Sequence, residues 1–309
     1  MKRGWVVLPM MLGATLAVAE PIRVAVLDFE DKTGLRPDAL LGGAIRPGAV
    51  ADKGIYLLGE QLAGQTNFSL IDRRDFIAQI EQLRPKDMGE KTPTKPSFLH
   101  AAQALRADAV LRGTLLTLST GKQTVNLGGN QSEQTTLSAR VALEALDAKD
   151  GTVVAMASGV ADRNFRQTPQ VKTELSENDV VSRVGDALAK ALPAVQKALE
   201  EQRVARASRP TVKISVKTSA DPALVEIDGI LVGSSPLDRF EVYKGDHVLA
   251  ITKPGYQEIT KRILLENDAQ IESPMFRVQL SADDIKQIVE KMQINVIAPE
   301  PVFVVKPLK

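Results

Sequence analysis

The sequence contains no cysteine, only two histidines and few aromatic residues, which make up 4% of its 309 residues. The absence of cysteine excludes disulfides, thiolate metal sites and a cysteine nucleophile. The formal net charge of +1 argues against a nucleic-acid partner, because nucleic-acid binding needs a concentrated basic patch. No serine lies in a nucleophile elbow, and no glycine-rich segment has the spacing of a phosphate loop. We therefore expect neither an enzyme nor a cofactor-binding protein.

Few residues could carry catalytic or metal chemistry. The histidines, His100 and His247, lie beside apolar neighbours and are expected to be structural. Asp28, Glu30 and Asp31 follow the first predicted strand, where their oxygen atoms could bind a divalent metal ion. Acidic residues at a turn more commonly accept backbone hydrogen bonds, so we predict no metal site.

Residues 1–19 have the pattern of a secretory signal. Two basic residues precede an apolar run over residues 5–16, and Ala17 and Ala19 form a small-x-small cleavage site before Glu20. The apolar run is shorter than the about 20 residues that a transmembrane helix needs. No cysteine follows the cleavage site to accept a lipid. We expect the mature chain to begin at Glu20 and to be periplasmic, and an association with the outer membrane stays open.

Residues 20–202 alternate between strand and helix patterns, which predicts an α/β three-layer domain with a mixed sheet flanked by helices. The apolar run Ile22–Phe29 predicts a strand buried on both faces. Helices are predicted over residues 54–65, over 73–83 after the N-cap Asp72, after the N-cap Ser97, and after Ser176, which has Asp179 three residues on. A kink or break is predicted at Pro193. Strands are predicted at residues 68–71, 109–117 and on both sides of an Asp-Gly turn at residues 150–151. Residues 121–134 are predicted to form a polar, glycine-rich loop.

Several segments of this domain resemble the CsgG family of envelope proteins. They are residues 22–34 (IRVAVLDFEDKTG), 58–62 (LGEQL), 68–74 (FSLIDRR) and 101–114 (AAQALRADAVLRGT). The family includes the curli secretion pore, and the penicillin-binding-protein activator LpoB is similar to it in fold. The resemblance implies a non-enzymatic protein that binds a protein partner in envelope assembly or secretion. The resemblance also leaves open whether the protein forms a homo-oligomer.

The chain departs from the pore members of that family. It lacks their lipidated cysteine, and its two candidate membrane-hairpin regions, residues 118–137 and 160–179, are rich in polar residues. A transmembrane strand needs about 9 to 11 residues with an apolar outer face. An oligomeric outer-membrane secretion channel of the curli type therefore stays as an alternative. A second alternative is a protein that binds cell-wall glycan or regulates a peptidoglycan synthase, although the few aromatic residues argue against glycan stacking.

Residues 203–210 are predicted to be a polar linker to a small all-β sandwich over residues 211–280. Strands are predicted over residues 212–217, 225–229, 245–251, 259–265 and 275–280, with a turn at 232–237. Segments such as 225–229 (VEIDG), 235–237 (SPL), 245–247 (GDH) and 253–256 (KPGY) resemble a PEGA domain. The motif that names this family is altered, because residues 221–224 read DPAL. The resemblance implies an envelope module that mediates binding. Residues 281–309 are predicted to form an amphipathic helix and a tail.

Four residues are candidates for contact with a partner. Asn126 and Asn130 lie in the predicted polar loop of the first domain, and loops on a rigid scaffold commonly carry binding groups. Tyr243 and Tyr256 flank the predicted strand 245–251 and are expected to be either exposed anchors or core residues. A module of about seventy residues without disulfides is only marginally stable by its own core. We therefore expect the second domain to dock on the first.

Overall fold

The computed structural model describes residues 20–36, 45–83, 97–127, 130–167 and 175–278. The predicted signal segment with Ala17 and Ala19, residues 84–96, and the predicted C-terminal helix and tail lie outside these residues. None of the helices in the described ranges is long and apolar enough to span a membrane.

A five-stranded sheet with the strand order β2-β1-β3-β4-β5 forms the centre of the first domain. Its elements are β1 (Ile22–Asp31), α1 (Pro47–Ala63), β2 (Phe68–Leu70), α2 (Arg73–Gln82), α3 (Phe98–Ala104), β3 (Ala109–Leu127), β4 (Asn130–Asp147), β5 (Val153–Gln167) and α4 (Glu177–Ala207). Strand β1 runs parallel to β2 and β3, whereas β3, β4 and β5 are antiparallel to one another. The predicted mixed sheet is confirmed.

Strand β1 is buried on both faces because helices cover both sides of the sheet. Val24 and Val26 pack in one core with α1 and α4, whereas Ala25 points to the other face and packs with α2 and α3. The starts of α2 and α3 are fixed locally, since Asp72 and Ser97 accept hydrogen bonds from backbone N–H groups of the first turn. Both N-caps are confirmed.

The polar loop predicted over residues 121–134 is wrong, because its described residues, 121–127 and 130–134, extend β3 and β4 into a long antiparallel pair. Strand pairing continues without a gap in the register from Leu118 to Leu127, which lies opposite Asn130. Lys122 and Gln123, which lie on opposite faces of β3, are both exposed. Where neither face of a hairpin is buried, the sequence carries no apolar alternation from which a strand could be predicted.

Helix α4 is one continuous helix, so it is not split at Pro193, and a kink there stays a prediction. Leu192 and Val195 on either side of the proline are buried against the sheet, and such packing supplies most of the stability of a helix in a protein. Its N-terminus carries the predicted capping box, in which Ser176 and Asp179 exchange hydrogen bonds with the backbone of each other.

The second domain is a β sandwich, as predicted. A four-stranded sheet (β11-β10-β7-β8) faces a three-stranded sheet (β12-β6-β9) across one apolar core. Its strands are β6 (Thr211–Thr218), β7 (Leu224–Ile227), β8 (Ile230–Ser234), β9 (Leu237–Tyr243), β10 (Gly245–Thr252), β11 (Ile259–Leu265) and β12 (Ala269–Ser273). Asp228 and Gly229 join β7 to β8 with φ angles of 54° and 78°, as a type I′ turn requires.

Two predictions for the sandwich are wrong in detail. The turn expected at residues 232–237 belongs mostly to β8 and β9, which are joined by a short connection. The strand expected at 275–280 is absent from its described part, residues 275–278, where Arg277 forms only an isolated bridge with Tyr256. The last strand of the sandwich in the described residues is instead β12, which pairs in parallel with β6. Its sequence, AQIES, is too short and too polar to be recognised without its partner strand.

Candidate functional site

Helix α3 connects the cores of the two domains. Leu99 is fully buried and packs in the sandwich core with Phe240, whereas Ala101 and Ala102 pack in the core of the first domain. The His100 ring meets Phe240 edge-on, with ring centroids 6.1 Å apart, and burial lowers the pKa of His100. The second domain therefore docks on the first through a helix of seven residues that both cores share.

The side chain of Gln103 joins α3 to strand β9. Its Nε2 donates to the carbonyl oxygen of Glu241 at 2.9 Å, and its Oε1 accepts from the N–H of Glu241 at 2.9 Å. This pair of bonds satisfies the edge of β9 as a neighbouring strand would. Lys149 Nζ lies 3.0 Å from Glu241 Oε1, and Ser97 Oγ donates to the carbonyl oxygen of Leu231 at 3.2 Å.

A buried carboxylate, Asp147, closes the junction near the end of α4. Arg206 Nη2 lies 2.6 Å from Asp147 Oδ2, and the Tyr243 hydroxyl donates to the same oxygen at 3.0 Å. The Arg209 guanidinium stacks on the Tyr243 ring at 3.8 Å from its centroid. Burial and the Asp147 charge raise the pKa of the Tyr243 hydroxyl, so the phenol remains a donor. Both arginines come from the predicted linker 203–210, most of which is the last part of α4.

The four predicted contact residues do not share one site. Tyr243 is 3% exposed, so the structure places it in the core and the exposed-anchor alternative is wrong for this residue. Tyr256 is half-buried, and its hydroxyl accepts from Arg277 Nε at 3.4 Å. Asn126 and Asn130 lie in strands at the end of the β3–β4 hairpin and not in a loop, and their side chains fall outside the described part. A binding role for Tyr256, Asn126 and Asn130 stays a prediction.

A cleft of about 790 Å³ lies between the two domains, within the range of volumes typical of ligand sites. The first domain contributes Leu27, Asp28, Glu30, Ile80, Phe98 and Arg112, and the second domain contributes Leu224, Glu226, Gly229, Ile230 and Leu231. The first wall is built on β1, β3, α2 and α3, and the second wall is the β7–β8 hairpin. Because the shared helix α3 and the Asp147 contacts hold both walls, the cleft is preformed.

A β-bulge places charged groups on the first wall. The register between β1 and β3 shifts between Val26 and Asp28, and the consecutive residues Leu27 and Asp28 both line the cleft. Asp28 then lies opposite Arg112, which in turn lies opposite Glu144 of β4. Bulges often redirect side chains beside functional sites, and here the bulge brings three charged residues together on one face.

Arg112 lies between two carboxylates without a close bond to either. Its Nε is 3.7 Å from Asp28 Oδ1, and its Nη1 is 3.7 Å from Glu144 Oε2. Both Arg112 Nε and Asp28 Oδ1 are buried atoms without a hydrogen-bond partner among the described residues. Burial raises the pKa of Asp28. The positive charge of Arg112 opposes this rise, and the negative charges of Glu30 and Glu144 reinforce it. The first wall thus holds an incompletely satisfied carboxylate.

Glu226 adds a carboxylate from the second domain. It lies on β7 opposite Leu231 of β8 and Ala250 of β10, and it forms no ion pair with any residue in the described ranges. With Asp28 and Glu30 from the first wall and Arg112 as the basic residue, the lining carries more negative than positive charge. The lining is therefore mostly apolar and carries a net negative charge.

Asp31 has protein partners that fit its predicted role as a turn residue, and Glu30 has a side-chain partner. Asp31 Oδ1 accepts from the N–H and the hydroxyl of Thr33 at 2.9 and 2.7 Å, and Glu30 pairs with Lys32 at 2.8 Å. In the part of the chain that the structure describes, no three acidic or histidine residues are grouped to hold a metal ion. His247 bridges Asp228 and the Tyr243 carbonyl oxygen at 2.6 and 2.8 Å.

The sequence prediction missed three residues of the junction and the cleft. Arg112 is the only charged residue in the apolar run from Ala109 to Leu118, and a lone charge in a buried strand is a usable signal. Glu226 alternates with apolar residues and reads as an ordinary exposed strand position. Asp147 gives no signal, because it is the first residue of the segment DAKDG, which has the composition of a solvated turn.

Comparison with known proteins identifies the second domain only. Residues 211–274 match the family model of the PEGA domain, which agrees with the extent of the β sandwich. No curated protein matches the chain. The resemblance of the first domain to the CsgG family stays a prediction.

Several solved structures are distantly similar to this chain. Lipoprotein GNA1162 from Neisseria meningitidis is 10% identical over 60% of this chain and 99% of its own, with a TM-score of 0.30. The PelC dodecamer from Paraburkholderia phytofirmans is 17% identical over 59% and 90%, with a TM-score of 0.29. The LpoB C-terminal domain from Escherichia coli is 16% identical over 48% and 88%, with a TM-score of 0.29. Similarity at this level supports no inference about function.

Proposed function

We propose that this chain is an exported, non-enzymatic protein of the cell envelope that binds a protein partner in the cleft between its two domains. The observation that carries the proposal is the preformed cleft, whose walls come from different domains. The predicted secretory signal and the PEGA match of residues 211–274 support the envelope location.

The lining of the cleft favours binding over catalysis. Its described residues include no serine, threonine, lysine or histidine, and its titratable groups are the carboxylates of Asp28, Glu30 and Glu226 and the Arg112 guanidinium. The described residues do include large apolar side chains on both walls, Phe98 and Ile80 on one and Ile230 and Leu231 on the other. Apolar anchors inside a polar rim are typical of a protein–protein contact.

The fixed junction favours binding in a second way. Helix α3 packs in both cores, and Asp147 is fully buried among its partners, so the two walls are held in place before a partner arrives. A site that needs no ordering on binding loses less of its contact energy. The second domain is therefore proposed to complete the binding site of the first and not to act as a separate module.

Site-specific photo-crosslinking in intact cells tests this function. A photoreactive phenylalanine analogue is placed at Leu231 in the cleft and, as a control, at Leu264, which is 65% exposed on β11. We expect Leu231 to capture one protein in the envelope fraction and Leu264 not to capture it. Equal capture at both positions, no capture at Leu231, or recovery of the product with cytosolic protein would contradict the proposal.

The captured protein also decides between the finer roles. A cell-wall synthase would favour regulation of peptidoglycan synthesis, whereas a secretion subunit or a second copy of this chain would favour a role in curli-type secretion. Mass spectrometry of the same crosslinked band distinguishes these identities, so the choice needs no further variant of the protein.

A further inference from the structure

We propose that the cleft receives a polypeptide segment in which lysine or arginine side chains alternate with apolar ones. This proposal rests on the proposed function, since it names the chemistry of the partner that the cleft binds.

The charge of the lining selects a cation. Glu226 has no ion-pair partner among the described residues, and 39% of the Asp28 side chain is exposed. Arg112 is already held between Asp28 and Glu144 at 3.7 Å from each, and Glu226 belongs to the opposite wall. A cationic group in the cleft would meet a carboxylate on each wall, whereas an anion would meet three carboxylates and one guanidinium.

The apolar part of the lining selects a long side chain on a polypeptide. Lysine and arginine bury an aliphatic stem along apolar surface while the charged group reaches the rim. Phe98 and Ile230 line the same cleft as the carboxylates of Asp28 and Glu226 and offer such a surface. Recognition of a small polar molecule would need several directional donors, and Arg112 is the only donor side chain in the described lining.

A free polyamine offers the same ammonium chemistry and must be distinguished from a peptide. A polyamine carries no side chains for the large apolar residues on the two walls, Ile80 and Phe98 on one and Ile230 and Leu231 on the other. A segment with alternating apolar and basic residues presents both kinds of group at once. We therefore assign the cleft to a polypeptide.

Fluorescence anisotropy with a defined probe tests the assignment. The probe is a fluorescein-labelled octapeptide of alternating leucine and lysine, titrated with the mature full-length protein at low ionic strength. We expect saturable binding that weakens as salt screens the exposed carboxylates. Glu226→Gln and Asp28→Asn should each weaken binding about tenfold, the effect of losing one charge-assisted hydrogen bond.

Matched controls separate the cleft from general charge attraction. Glu266→Gln changes the charge of the second domain equally at an exposed position after β11, and it should leave the affinity unchanged. An octapeptide of alternating leucine and glutamate should not bind. Equal binding of the two peptides, unchanged affinity in Glu226→Gln, or displacement of the peptide by equimolar spermidine would overturn the assignment.

The peptide and crosslinking experiments fail independently. If Leu231 captures a partner and the leucine–lysine peptide does not bind, the proposed chemistry is wrong while the proposed function stands. If the peptide binds as expected and no partner is captured in cells, the chemistry is supported and the proposed cellular function is wrong.

Discussion

Tyr243 shows how much a single buried hydrogen bond contributes at the domain junction. Replacing it in Tyr243→Phe removes the donor at 3.0 Å from Asp147 Oδ2 and leaves a buried carboxylate with one partner fewer. We expect a loss of about 1–3 kcal/mol in the free energy of unfolding, measured by urea denaturation. Tyr56→Phe is the matched control, since Tyr56 is 76% exposed and its change should stay within about 0.5 kcal/mol. Equal effects would contradict the buried role of Tyr243.

Asp28 is a residue at which stability and binding are opposed. Burial raises its folded-state pKa, with Arg112 and Arg73 opposing this effect and Glu30 and Glu144 reinforcing it. The ionised carboxylate is therefore less favourable in the folded than in the unfolded chain. Its contribution to stability is greatest below the unfolded-state pKa and decreases as pH rises through the raised folded-state value.

The variant Asp28→Asn removes this pH-dependent loss. The free energy of unfolding of this variant, minus that of the unmodified protein, should increase as pH rises from about 4 to 7. We expect a gain below about 1 kcal/mol, because 39% of the Asp28 side chain is exposed. Thermal unfolding across that pH range measures it. A stabilisation that is largest at acid pH would show that burial does not set the pKa of Asp28.

Among the secondary-structure elements, the contact of β5 with α4 depends on Gly159. A Cβ atom at this position would overlap the carbonyl oxygen of Ala187 and approach the backbone nitrogen of Ala191 at 3.0 Å. Gly159→Ala should therefore force β5 and α4 apart and cost about 1–3 kcal/mol. Gly121→Ala on β3 is the control, because no described atom lies within 4 Å of its Cβ position. Similar stability of the two variants in urea would contradict this packing.

Elements with local signals could be predicted from the sequence, and elements that depend on a partner strand could not. The N-caps Asp72, Ser97 and Ser176 bond to backbone within their own first turn, so a short segment is enough to recognise each. The outer part of the β3–β4 hairpin and strand β12 have little apolar alternation. Their strand structure comes from hydrogen bonds to neighbouring strands, which a single sequence does not display.

Across the whole molecule, Leu99 couples the stability of the two domains. Leu99→Ala and Leu62→Ala each remove a fully buried leucine and should each cost about 2–5 kcal/mol. Leu62 lies in the core of the first domain alone, whereas Leu99 lies in the sandwich core on a helix of the first domain. We expect only Leu99→Ala to accelerate amide hydrogen exchange selectively across β6–β12. The same selective effect from Leu62→Ala would contradict the coupling.

The composition and patterning of the sequence predicted both domains but not the cleft between them. The junction joins residues that lie far apart in the chain, such as Asp147 with Tyr243 and Gln103 with Glu241. No periodicity links such residues, and each reads alone as a turn or surface position. The cleft exists only once the sandwich is docked, so the sequence marks Asp28 and Glu30 as acidic residues at a strand end without indicating the wall that faces them.

If both domains together form one binding site, a bound partner must protect both walls of the cleft. Hydrogen exchange of the complex captured through Leu231, compared with the free protein, measures this protection directly. We expect slower exchange in β1 and in the β7–β8 hairpin together, because these segments form opposite walls of the cleft. Slowing in only one domain, or slowing centred on β11 and β12 away from the cleft, would contradict a shared site.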